Sequence, residues 1–236
     1  MREPLVFLPG IGCDARVFLP QIVALGERYG TQVILPCQGE SVEDLAALAL
    51  EQMPVRVNLI GLGLGGAVAL EVLRRAEDRV ARIVLISTPS MPDPQPMVMV
   101  REERIIAARA GRLAQALRAE YPPEALADTP WREEVLALVQ DMGLTLGEGN
   151  FIRQTRALQH RPDQQKTMRR ARVRALVLGG LVDTILPPRR HEFTASLLPW
   201  GKLHLVPDAG HLPMLEQPEA TSAAIAEFLD GPILLR

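Results

Sequence analysis

The sequence predicts an α/β protein built on a doubly wound, mostly parallel sheet of about six strands, with an all-helical segment inserted into it. Three observations predict this. Apolar runs of strand length recur along the chain, helical patterns alternate with them, and one long interval between the fourth and fifth runs holds helical patterns alone.

The first run, residues 5–8, reads Leu-Val-Phe-Leu and is followed by a helical pattern over 15–25. A second run at 32–35 leads to a helix over 42–52. Ser41, three positions ahead of Asp44, resembles a capping box and marks that helix's start. The third run, 55–60, passes through a glycine-rich turn into a helix over 64–76, and the fourth covers 82–87. The fifth and sixth runs, 175–178 and 203–206, are separated by a helix over 189–198 and followed by one over 219–229. Nearly continuous Val, Ile and Leu is the pattern of strands covered on both faces, as in a parallel sheet joined by right-handed crossovers.

The exceptional interval runs from Pro89 to Arg172 and opens on Pro89, Pro92, Pro94 and Pro96. Helices are expected over 98–119, 131–142 and 148–160, with a short one after Pro162. Tyr121-Pro122-Pro123 and a stop at Gly143 separate them. The interval reads as a helical lid, 89–172, inserted in a core made of 1–88 and 173–236. A chain of 236 residues leaves no room to expect a second domain.

Net charge is −2, with 26 Lys+Arg against 28 Asp+Glu, so no basic field invites nucleic acid or an anionic membrane surface. The basic residues, almost all arginine, are scattered and read as solvated helix faces. Cys13 and Cys37 make no disulfide framework. No signal-peptide pattern precedes the first strand and no apolar run is long enough to span a membrane, which predicts a reduced, cytoplasmic protein. No His, Cys or carboxylate set has metal-ligand spacing, so neither metal nor other cofactor is expected.

Residues 57–67 form a strand, a sharp turn and a helix. Gly61, Gly63 and Gly65 fit the nucleophile elbow G-x-S-x-G with glycine at its centre. Gly61, Gly63 and Gly66 equally fit the dinucleotide fingerprint G-x-G-x-x-G, and a third reading is tight helix-on-strand packing. The fingerprint wants an acid about 20 residues on, after the next strand. There the chain reads Ile86-Ser87-Thr88-Pro89. The elbow wants an acid after a later strand and a histidine after the last. Asp183 and His211 stand at those places, although Asp183 can also cap the following helix and His211 can be an ordinary loop residue. His160 at a helix end, His191 on a helix with charged neighbours, and His204 within a strand lack such context. Cys13 is a nucleophile with no base that the sequence can set beside it.

With Leu8-Pro9-Gly10-Ile11-Gly12-Cys13-Asp14, Ala209-Gly210-His211 and Glu216-Gln217-Pro218-Glu219 added, the chain resembles an α/β-hydrolase of the bacterial esterase, lactonase and C–C hydrolase type, end to end. The resemblance implies the α/β-hydrolase fold without its first strands. It makes Asp183 the partner of His211, His211 the general base and acid, and the Ile11 and Leu64 N–H groups the oxyanion hole. Gly61 and Gly65 flank the elbow, and Gly63 stands where a serine nucleophile is expected. The implied function is that of a relative of carboxylic-ester and acyl hydrolases with little or no serine-type activity. The alternatives are a His-Asp-dependent lyase or cofactor-free oxygenase, a non-catalytic small-molecule binder, and an NAD(P)-binding protein using Gly61, Gly63 and Gly66. The expected partner is a small molecule with an acyl or carbonyl group. A lid rich in Ala, Leu, Met and Arg points to an apolar pocket for it.

Overall fold

The computed structural model describes residues 2–232; Met1 and residues 233–236, assigned above to the core, lie outside the described residues. The chain runs through β1 (Leu5–Leu8), α1 (Leu19–Gly26), β2 (Thr31–Val33), α2 (Val42–Gln52), β3 (Val57–Leu62), α3 (Leu64–Arg75) and β4 (Val80–Ile86). Five helices follow without a strand: α4 (Gln95–Arg109), α5 (Leu113–Glu120), α6 (Arg132–Leu146), α7 (Glu148–Gln159) and α8 (Gln165–Arg170). The chain then forms β5 (Arg174–Gly180), α9 (Pro188–Ser196), β6 (Gly201–Val206), α10 (Pro213–Glu216) and α11 (Pro218–Asp230).

Side-chain alternation explains the layering. Leu5 and Phe7 of β1 join one apolar cluster, with Phe18, Leu25, Ile225 and Phe228. Val6 and Leu8 join the other, with residues of α2, α3 and α9. β1, β3, β4 and β5 thus each feed two cores, one per face, which is why their sequence runs read as continuously apolar. A fully buried Leu or Phe of this kind contributes roughly 2–3 kcal/mol.

All strand pairs are parallel, in the order β2-β1-β3-β4-β5-β6. The chain leaves β1 toward one edge and returns as β3 on its other side, so the order reverses between β1 and β3. In open α/β sheets ligands bind beyond the carboxyl ends of strands at such a switch point.

Several expected boundaries shift. The strands at the two edges are more open than the sequence suggests: β2 is only three residues long and not buried, and Leu203 of β6 is 38% exposed. The single helix expected over 98–119 is two, α4 and α5, divided at Gly111. Gly143 does not stop α6; it sits inside the helix because a Cβ there would lie 2.4 Å from the Leu117 side chain. The stop is Gly147, at φ 83°. Ser41 caps α2, its hydroxyl accepting the Asp44 N–H at 3.1 Å. Among the described residues no helix is long and apolar enough to cross a membrane.

Candidate active site

Four loops at the carboxyl ends of β1, β3, β5 and β6 carry the residues singled out in the sequence. Between β3 and α3 the chain turns on Gly63, which has φ 51° and ψ −108°, a conformation that disfavours any residue with a Cβ. Its N–H donates to the Ile86 carbonyl at 3.0 Å. The flanking glycines serve close approach. A Cβ on Gly65 would lie 1.8 Å from the Leu8 carbonyl oxygen, and one on Gly61 2.5 Å from the Gly65 carbonyl oxygen. Gly66 is pressed against the Thr88 side chain in the same way. At Gly63 itself a Cβ would meet only the Ser87 carbonyl oxygen, at 3.9 Å.

Ile11 and Leu64, like Gly63, line a cavity of about 380 Å³. Among the described residues neither backbone N–H has a hydrogen-bond partner. The loop after β1 is held by Tyr121, whose hydroxyl donates to the Ile11 carbonyl at 2.7 Å, and by Gln154, whose Oε1 accepts the Gly12 N–H at 2.8 Å. Cys13 lies against the Tyr121 hydroxyl at 3.6 Å. Burial pushes its thiol up to about 12, so it stays protonated and is a poor nucleophile.

His211 also lines the cavity, and its Nδ1 is 2.8 Å from Asp183 Oδ2. The other carboxylate oxygen, Oδ1, accepts the Ile185 and Leu186 N–H groups at 2.9 Å each. Asp183 therefore closes its own loop as well as meeting His211, but it does not cap α9, whose N-cap is Pro187. Burial works against charge on both groups. For His211 the negative charge and hydrogen bond of Asp183 outweigh it and raise the ring above its usual range. For Asp183 the facing imidazole outweighs burial and holds the carboxyl well below its usual range.

The sequence reading missed what fixes this histidine. Glu216 is buried, and its carboxylate accepts the N–H groups of Gly210, Leu212 and Ala127 at 2.7–2.8 Å. Burial raises its pKa despite these bonds. The His211 N–H donates to the Ala125 carbonyl, and its own carbonyl accepts from the Ser87 hydroxyl at 2.9 Å. His191, which the sequence sets on a helix with charged neighbours, is fully buried with Nε2 3.7 Å from Asp183 Oδ2. It fills the space that a Cβ on Gly179 would need, so Gly179 is the trace it leaves in the sequence. His160 is exposed at the end of α7, and His204 is partly exposed on β6.

The cavity is apolar over much of its lining, as composition suggests, but charged groups share it. Arg101, Arg104, Arg161 and Arg190 line it, as do Asp93 and Glu120. Arg101 and Arg161 are only 7% and 6% exposed, so these are not solvated helix faces. Periodicity could not reveal this, because an arginine stem packs like an apolar chain whichever way its head points. Among the described residues no group of His, Cys, Asp and Glu could hold a metal ion.

Residues 5–224 match the model of the Alpha/beta hydrolase family. The chain is 27% identical to a pimeloyl-[acyl-carrier protein] methyl ester esterase of Aromatoleum aromaticum, over 98% of this chain and 99% of that protein. A thermophilic esterase from Thermogutta terrifontis superposes with a TM-score of 0.81 at 27% identity, covering 96% of this chain and 89% of the esterase. An enol-lactonase from Burkholderia xenovorans has the same fold, with a TM-score of 0.86 at 22% identity, covering 98% and 93%.

Proposed function

The chain belongs to the alpha/beta hydrolase family, and from that premise we propose that it binds a small acyl- or carbonyl-bearing molecule in the cavity and acts on it through His211 and Asp183, without serine-type acyl transfer. In this reading residues 89–172 are a lid over a core of 1–88 and 173–236. The two free thiols suit a reducing, cytoplasmic setting.

One observation carries the proposal: the bend at Gly63 lines the same cavity as a carboxylate-held imidazole, yet offers no hydroxyl. Asp183 takes Nδ1 and keeps the proton there, which leaves Nε2 as the basic nitrogen. Nε2 can remove a proton from a water or from an acidic position of the ligand, and the charged ring is stabilised by Asp183. A ligand oxygen that gains negative charge meets the free N–H groups of Ile11 and Leu64. The open space beside Gly63 suits a water where the hydroxymethyl group of serine would project. For ester cleavage the water oxygen bonds the acyl carbon, the alcohol leaves, and His211 returns its proton to that alcohol. The likeness to methyl ester esterases supports an ester or a related acyl compound as substrate.

Gly63→Ser tests this directly, because the site has room for the side chain. Hydrolysis of short p-nitrophenyl esters should rise at least ~10²-fold, a small part of the ~10⁶ that a triad serine supplies. His211→Ala should abolish both the gain and any native turnover. A serine variant that stays at background, together with native turnover indifferent to His211→Ala, would sink the proposal.

A further inference from the structure

We propose that the arginine wall of the cavity is a carboxylate subsite, so that the molecule acted on carries a carboxylate in addition to its acyl or carbonyl group. The inference rests on the reading of the cavity as the substrate site and narrows the substrate class.

The charges on that wall do not balance. Four guanidinium groups line the cavity against two carboxylates, Asp93 and Glu120. Asp93 accepts from Arg101 Nε and, at 2.7 Å, from Arg161 Nη2. Glu120 accepts from Arg104 Nη1 and lies 3.5 Å from Arg101 Nη1. Both acids are thereby engaged. Arg190 has no carboxylate partner among the described residues and touches only the Met91 sulfur, at 4.0 Å. Arg161 donates to the carbonyl of that same Met91, so the two cations sit side by side. The remaining ionisable groups lining the cavity are His211 and Tyr121, and neither supplies a resident negative charge there. Asp183 is turned to His211 and to its own loop.

Unpaired donors point the same way. Only Nε of Arg101 makes a hydrogen bond among the described residues, and Nη1 is buried without one. Nε of Arg104 and Nε of Arg161 are likewise buried and unpaired. Buried guanidinium groups in excess of their counterions are costly, and a ligand anion offsets that cost. Arg101 holds Asp93 through Nε and lies 3.5 Å from Glu120 through Nη1, and its Nη2 makes no hydrogen bond among the described residues, which leaves a charged donor for one oxygen of a carboxylate. The positive charges of Arg101 and Arg190 both press on Arg161, whose pKa is lowered chiefly by burial, in keeping with a wall whose cations outnumber its anions.

The test is calorimetric titration of the intact protein with monomethyl glutarate, dimethyl glutarate and inorganic phosphate at low salt. Monomethyl glutarate should bind about ten- to a hundredfold more tightly than the diester, as a charge-assisted hydrogen bond warrants. Arg190→Met, at a partly exposed side chain without an acid partner, should erase most of that preference, and Arg190→Lys should keep part of it. Arg101→Lys, which keeps the charge but loses the Nη2 donor, should weaken the monoester alone. Equal binding of the two esters, indifference to Arg190→Met, or binding of phosphate without the monoester would each overturn the carboxylate assignment. His211→Ala separates the two readings. Monoester binding that survives it while turnover also survives keeps the subsite and removes the general-base reading. His211-dependent turnover that ignores ligand charge does the reverse.

Discussion

Gly63 and Gly65 stand two residues apart and are glycine for different reasons. Gly65 lets α3 lie on the β1 backbone, where a methyl group would fall 1.8 Å from the Leu8 carbonyl oxygen. Gly63 has open space but a left-handed backbone, at φ 51°. Gly65→Ala should therefore destabilise by on the order of 3 kcal/mol or more through overpacking. Gly63→Ala should cost only about 1–2 kcal/mol, the strain of a Cβ at positive φ. Urea unfolding of the two variants measures both. The glycine string was legible in the sequence, but its division of labour was not, since clash and torsion leave the same letter. His191 was illegible for a related reason: its partner, Gly179, is twelve positions back, on the preceding strand.

Among the elements, the proline-rich connector after β4 does more than link sheet to helices. Its Asp93 holds Arg101 of α4 and Arg161 beyond α7, fastening the first and later inserted helices at one point. Asp93→Ala leaves two buried guanidinium groups without this counterion. The loss should be about 3–5 kcal/mol, as for breaking a buried pair from one side, and a thermal melt will read it. The all-helical character of 89–172 was legible from prolines and periodicity, although four helices were expected and five are present. The break at Gly111 and the run of α6 through Gly143 were not, because Leu117 of a neighbouring helix decides whether Gly143 is a stop or a packing site.

For the whole molecule, one parallel sheet brings loops from β1, β3, β5 and β6 to a single end, and the chain order of those strands made the grouping of Ile11, Gly63, Asp183 and His211 expected from sequence. The four arginines were unexpected, since they converge from α4, the segment after α7 and α9 through contacts no local pattern records. The charge state of the site sets its pH response. In the proposed mechanism His211 works as a base when neutral, and its pKa is raised, so turnover should climb with pH through an inflection above the usual 6.5. Asp183→Asn removes the charge that raises it, and the inflection should move down. Stability follows the opposite slope on the alkaline side. The contribution of His211 is complete below about 6.5 and fades as pH rises through its raised value, whereas that of Asp183 is complete above about 3.9 and fades in acid. Melting temperatures across pH, compared with those of Asp183→Asn, should show a plateau that flattens in the variant. The histidine loop is also tied to the inserted segment. Ala125 and Ala127 are bonded to His211 and Glu216, and the Trp131 indole donates to the Glu216 carbonyl. An outward swing of that stretch would carry the imidazole with it, so residues 125–131 and the histidine loop move as one piece or not at all.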